Sequence, residues 1–94
     1  MTPAQIQQLA DKILRELSPA GEGMARHYAW LEATQPHRPD YSNLVQALNT
    51  SSTYKELGWV LTDCEMVEID MAILKRLKRL SGIIVKRESE RRRQ

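Results

Sequence analysis

Lys75, Arg76, Lys78 and Arg79 crowd into little more than one helical turn, and Lys86, Arg87, Arg91, Arg92 and Arg93 follow close behind. The chemistry open to these side chains is the holding of phosphate. Regularly spaced anions shed condensed counterions when cations neutralise them. The arginine fork can grip one phosphate through two hydrogen bonds. On a helix Lys75, Arg76 and Arg79 are neighbours three or four positions apart and form one ridge, with Lys78 further round. No zinc-finger spacing, RNP signature or helix-turn-helix turn accompanies them. The pattern predicts contact with a nucleic-acid backbone, DNA or RNA, without readout of sequence.

The rest of the chain has the opposite sign. Residues 1–74 carry five basic and ten acidic side chains, a balance of −5, whereas residues 75–94 carry nine basic and two acidic ones, +7. The overall charge of +2 conceals this split. A separation of this kind suggests that one end meets a polyanion or an acidic protein surface. Part of it has a local cause. Acids at the start of a helix and bases at its end complement the helix macrodipole. That accounts for Lys75–Arg79 but not for Lys86, Arg87 and Arg91–Arg93, which lie past the expected helix end; their other reading is a solvated tail.

Other reactive residue types are sparse. His27 and His37 are ten positions apart, and neither has a second ligand at metal spacing. Cys64 sits at an acidic helix start, where Asp63 and Glu65 disfavour a thiolate; its alignment with Leu57 and Leu61 predicts a buried core thiol. Asp70 falls between apolar stripes, and a cation from another helix is the expected partner. Neither Glu68 nor Asp70 has a companion base, and no phosphate-cradling loop appears. No catalytic residue, metal, cofactor or small-molecule substrate is expected. The one cysteine cannot form an internal disulfide, which points to a reducing, cytoplasmic setting.

Two tryptophans offer a different chemistry. Trp59 points away from a stripe of Leu57, Val60 and Leu61, and Trp30 lies off a stripe of Met24, Tyr28 and Leu31. Outside a core, such rings anchor protein interfaces or stack on unpaired bases. The alternative is a middle helix with two covered faces, which would bury both rings.

Helices must position all of these groups. Thr2-Pro3-Ala4-Gln5 reads as a capping box with proline at the first turn. Ile6, Leu9, Ala10, Ile13, Leu14 and Leu17 then form one stripe, and Ser18-Pro19 should end it. The second helix stops before Gln35-Pro36, and residues 34–40 form a stiff loop. Asp40 is the expected cap of a short helix with Tyr41, Leu44, Val45 and Leu48 inward. Asn49–Ser52 is turn chemistry. Thr53 with Glu56 suggests a capping box for the fourth helix, which Gly58 weakens by up to about 1 kcal/mol and whose Gly58–Thr62 segment has some strand character. Thr62 with Glu65 suggests a box for the last helix, where Met66, Ile69, Ile73, Leu77 and Leu80 share a stripe that Val67, Met71 and Leu74 widen. Ser81-Gly82 is the expected stop. A kinked continuation would return Ile84 to the same stripe.

The chain is thus expected to be all-α, a compact bundle of four or five helices with a long C-terminal helix. Residues 1–82 would form the bundle, and 83–94 a basic extension, either helix or tail. Its 94 residues make one domain. A mean hydropathy of −0.51 suits a soluble protein. No apolar run reaches the roughly 18 residues that would span a membrane. The opening residues lack the basic region and apolar run of a secretory signal. The functional expectation is a non-catalytic subunit of a nucleoprotein assembly with protein partners. The other is a protein–protein adaptor or inhibitor, of the kind phages and plasmids encode, using the tryptophans and the acidic half.

Overall fold

A computed structural model describes the backbone of residues 1–17 and 20–93 and the side chains of residues 1–17 and 22–92. The fold is an all-α bundle of five helices: α1 (Pro3–Glu16), α2 (Ala20–Thr34), α3 (Ser42–Leu48), α4 (Ser52–Val60) and α5 (Asp63–Arg93). The expected helix end at Ser18-Pro19 lies outside the described residues.

α1 begins as its sequence dictates. Thr2 Oγ1 accepts from the Gln5 amide at 3.2 Å, and the Thr2 amide donates to Gln5 Oε1 at 2.9 Å. Its stripe delivers Ala10, Ile13 and Leu17 into the core, with Ile6, Leu9 and Leu14 packed against it. α2 contributes Met24, Ala25, Tyr28 and Leu31, and α3 contributes Leu44 and Leu48. Tyr28 stacks on Tyr41 with ring centroids 6.5 Å apart. Burial, reinforced by the nearby Glu32 carboxylate, pushes the Tyr28 hydroxyl up to about 12.

α5 organises the bundle. Its 31 residues correspond to about 46 Å, close to the longest dimension of the molecule, 48 Å. α1 and α2 pack on it, α4 packs on α1, and α3 packs on α2. The Thr62–Glu65 box starts it, with the Thr62 amide donating to Glu65 Oε1 at 3.1 Å and the Glu65 amide donating to Thr62 Oγ1 at 3.3 Å. Ile69, Ala72, Ile73, Leu77 and Ile84 are buried along one side.

Several expectations fail in instructive ways. α5 does not stop at Ser81-Gly82 but continues through them to Arg93. Two contacts hold the continuation to the body: Ile84 is buried, and Arg26 of α2 bonds Glu88. Ser81 is buried as well, its hydroxyl donating to the Lys78 carbonyl at 2.8 Å. Asp40 acts one residue early; Tyr41 is the N-cap of α3 without a side-chain cap bond, and Asp40 Oδ1 accepts from the Ser42 amide at 3.0 Å. α4 is capped by Ser51 rather than Thr53, because Thr53 is engaged elsewhere. Ser51 Oγ accepts from the Tyr54 amide at 3.2 Å, while the Thr53 amide and hydroxyl both donate to the Glu16 carboxylate. Gly58 lies inside helical α4, so the strand reading of its neighbourhood fails. Val45, Val60, Val67 and Met71 were expected to face inward and are exposed. A five-helix bundle this small does not surround α3, α4 or the start of α5 with enough neighbours to cover a wide stripe.

Candidate nucleic-acid interface

The rotation of α5 decides which basic residues face outward. At about 100° per residue, Lys75 stands about 160° round the axis from both Ile73 and Leu77, the centre of the buried side. Lys75, Arg79 and Lys86 fall within about 40° of one another and span about 16 Å along the axis. All three are exposed, as are Lys78, Arg87, Arg91 and Arg92. Among the described residues none of these seven has a carboxylate within ion-pair distance; the ion pairs there are Arg26 with Glu22, Arg26 with Glu88 and Arg76 with Asp11. The side chain of Arg93 lies outside the described residues.

Arg76 leaves the ridge. It turns toward α1, pairs with Asp11 and donates from Nη2 to Gln7 Oε1 at 2.7 Å. Its side chain is only 27% exposed. About 100° of rotation separates it from Lys75, enough to aim it at the neighbouring helix. Arg76 is therefore a link between α1 and α5, and its charge is already matched within the chain.

The ridge that remains is a row of cations opposite the core, on a helix whose inner side is fixed by packing. Lys78 lies about 60° to one side of Lys75, whereas Arg87 and Arg91, about 40° apart, point about 120–160° away from Lys75 and Arg92 about 100° away on the other side. The arrangement offers point charges about 6 and 10.5 Å apart along one side for an extended polyanion, with arginine forks around its tip.

No family model, curated protein or solved structure matches the chain.

The tryptophans separate. Trp59 is 90% exposed at the end of α4, with both ring faces bare of aromatic neighbours among the described residues. Trp30 is 53% exposed and stacks on His27, centroids 5.6 Å apart. The reading that buries both rings is thus overturned. Cys64 was expected in the core and is exposed, since the rotation of α5 at Asp63 sets it opposite the buried side. Asp70 was expected to meet a cation; its Oδ1 instead accepts from the Tyr54 hydroxyl at 2.8 Å. Burial first, then Asp70, pushes the Tyr54 hydroxyl well above its ordinary range. His37 stands in the exposed loop. Among the described residues no three His, Cys, Asp or Glu side chains are grouped to hold a metal ion, and no helix is long and apolar enough to cross a membrane.

One polar cluster had no signature in the sequence. Glu16 receives the Ser51 hydroxyl at 2.9 Å and the Thr53 amide at 3.1 Å, besides the Thr53 hydroxyl. Those bonds, Thr53 foremost, hold the Glu16 carboxyl below its ordinary value. The cluster ties the end of α1 to the start of α4. The partners are separated by 35 and 37 residues, a distance no local pattern spans.

Proposed function

We propose that this protein is a non-catalytic helical subunit of a nucleoprotein assembly in the cytoplasm, and that α5 contacts a nucleic-acid backbone without sequence preference. Lys75, Arg79 and Lys86 form the contact row. Lys78, Arg87, Arg91, Arg92 and Arg93 extend it; Arg76 stays within the fold. The observation that carries the reading is the row of exposed cations on α5 that have no carboxylate partner among the described residues. A solvated helix face usually intersperses both signs. Here the outer side from Lys75 to Lys86 holds cations alone among its charged residues. Protein neighbours in the assembly would dock at Trp59, whose ring is large, rigid and bare.

Fluorescence anisotropy with labelled oligonucleotides tests this. Two duplexes of unrelated sequence should bind equally, and binding should weaken steeply as salt rises. Binding that ignores salt, or none at low ionic strength, refutes it. The exposure of Trp59 also supports a second reading, a protein–protein adaptor or inhibitor. That reading expects a stoichiometric protein complex that survives nuclease and is lost on Trp59→Ala.

A further inference from the structure

α3 packs on α2 and α4 packs on α1, so neither closes fully over the first half of α5. A cleft of about 160 Å³ remains where these three helices face one another. Leu44 and Leu48 of α3 and Ile73 and Leu77 of α5, all buried, form its apolar floor. Tyr41 and Tyr54 give it aromatic walls, and Asp70, half-buried, is the sole charged residue lining it. The Tyr54 hydroxyl donates to Asp70 Oδ1 at 2.8 Å and holds the carboxylate in place. The cation that the sequence leads one to expect at Asp70 is missing. Among the described residues no lysine, arginine or histidine lies within ion-pair distance of it. A carboxylate set among apolar side chains without a counter-charge costs free energy, which a cation bringing its own apolar body would recover.

We propose that this cleft binds a small organic ammonium ion, with its charge on Asp70 and its hydrocarbon body against Leu44, Leu48 and Leu77. The chemistry of the lining selects that class. An anion would meet Asp70 and no cation to receive it. A neutral apolar molecule would displace water from Asp70 and leave the carboxylate without a partner. A bare metal ion needs several protein ligands, and among the described residues no three His, Cys, Asp or Glu side chains are grouped to supply them. An ammonium ion instead donates to the carboxylate in a charge-assisted hydrogen bond and is drawn to the electron-rich faces of tyrosine rings. The volume sets the size of the body. A cavity of about 150 Å³ lined by apolar side chains holds one benzene ring, so the cleft fits a single ring or a short branched chain. Its floor belongs to the packed core, so little ordering is needed on binding. Asp70 stands about 140° round α5 from Lys75. The cleft is therefore separate from the cationic row, and the inference does not rest on nucleic-acid binding.

Titration of the full chain, followed by amide proton–nitrogen NMR, tests it. Benzylamine, benzyl alcohol and benzoate are probes of similar size and different charge. Benzylamine, cationic at neutral pH, should shift the amide signals of Leu44, Leu48, Tyr54, Asp70 and Leu77 to saturation, with a dissociation constant of about 1 mM or tighter. Benzyl alcohol should bind at least about tenfold more weakly, and benzoate should not bind. Asp70→Asn keeps an acceptor for the Tyr54 hydroxyl and removes the charge. It should weaken benzylamine at least about tenfold and leave benzyl alcohol within about twofold. Circular dichroism checks that the variant is folded, and the three probes on the wild-type chain decide the matter without it. Shifts that do not saturate, or that centre on Trp59 or another surface, overturn the inference. So does benzyl alcohol or benzoate binding as tightly as benzylamine, or a folded Asp70→Asn that keeps the wild-type affinity.

Discussion

Replacing Lys75, Arg79 and Lys86 by alanine should flatten the salt dependence of nucleic-acid binding by an amount that can be counted from the geometry. The three side chains share one outward face of α5 and span about 16 Å. A B-DNA strand offers a phosphate about every 3.4 Å along its axis, so the three cations meet separate phosphates. Each duplex phosphate neutralised adds about 0.9 to the slope of log K against log salt. The triple variant should therefore lose about 2.7 from that slope. Between about 50 and 200 mM salt, the three contacts together make binding fall about 40-fold; the variant should lack that share of the fall. Alanine is the strongest helix former, and none of the three residues is buried, so α5 should persist, as circular dichroism can verify. Arg76→Ala is the internal control. Its charge is matched by Asp11, so it should lower the melting temperature yet leave the slope unchanged. A slope change below about 1 for the triple variant, or an equal change for Arg76→Ala, refutes the assignment of the row.

Two further predictions concern the frame that holds the row. Gly82→Ala should stabilise the protein by about 0.5–1 kcal/mol, raising its melting temperature by roughly 4–8 °C at the upper figure. Gly82 lies inside α5, and an added methyl group meets nothing within 4 Å; no gain would mean that the helix breaks there. Glu16 predicts a pH effect with a fixed sign. Its carboxyl is held below its ordinary value of 4.5 by Thr53 and Ser51, so the folded chain binds that proton less readily than the unfolded chain. The resulting stability is present above the ordinary value and lost as pH falls through the depressed one. Urea melts from neutral pH down through the carboxylate range should show a steeper acid loss for wild type than for Glu16→Gln, with the variant less stable at neutral pH.

What the sequence revealed was local in physical origin. The Thr2–Gln5 and Thr62–Glu65 boxes each close within four residues, and both form. The α1 stripe is narrow and lies wholly on the core side. Val45, Val60, Val67 and Met71 misled because apolarity records a tendency to be covered, whereas coverage depends on how many helices are near. Thr53 with Glu56 has the spacing of a box, yet Glu16, far away in sequence, takes the Thr53 hydroxyl and amide. Arg76 was misplaced for the same reason. Its spacing to Arg79 reports adjacency on one helix and says nothing of the helix alongside, where Asp11 waits. Gly82 marks a stop only where nothing beyond it packs; Ile84 does.

The continuation of α5 past Gly82 changes what the distal charges can do. As a free tail, Lys86 and Arg87 would give up chain entropy on meeting any partner, roughly 1–2 kcal/mol for each backbone residue ordered. On a helix fastened by Ile84 and by the Arg26–Glu88 pair, that ordering has occurred during folding. Lys86 then stands in fixed register with Lys75 and Arg79, and the row acts as a unit rather than as a body with an appendage.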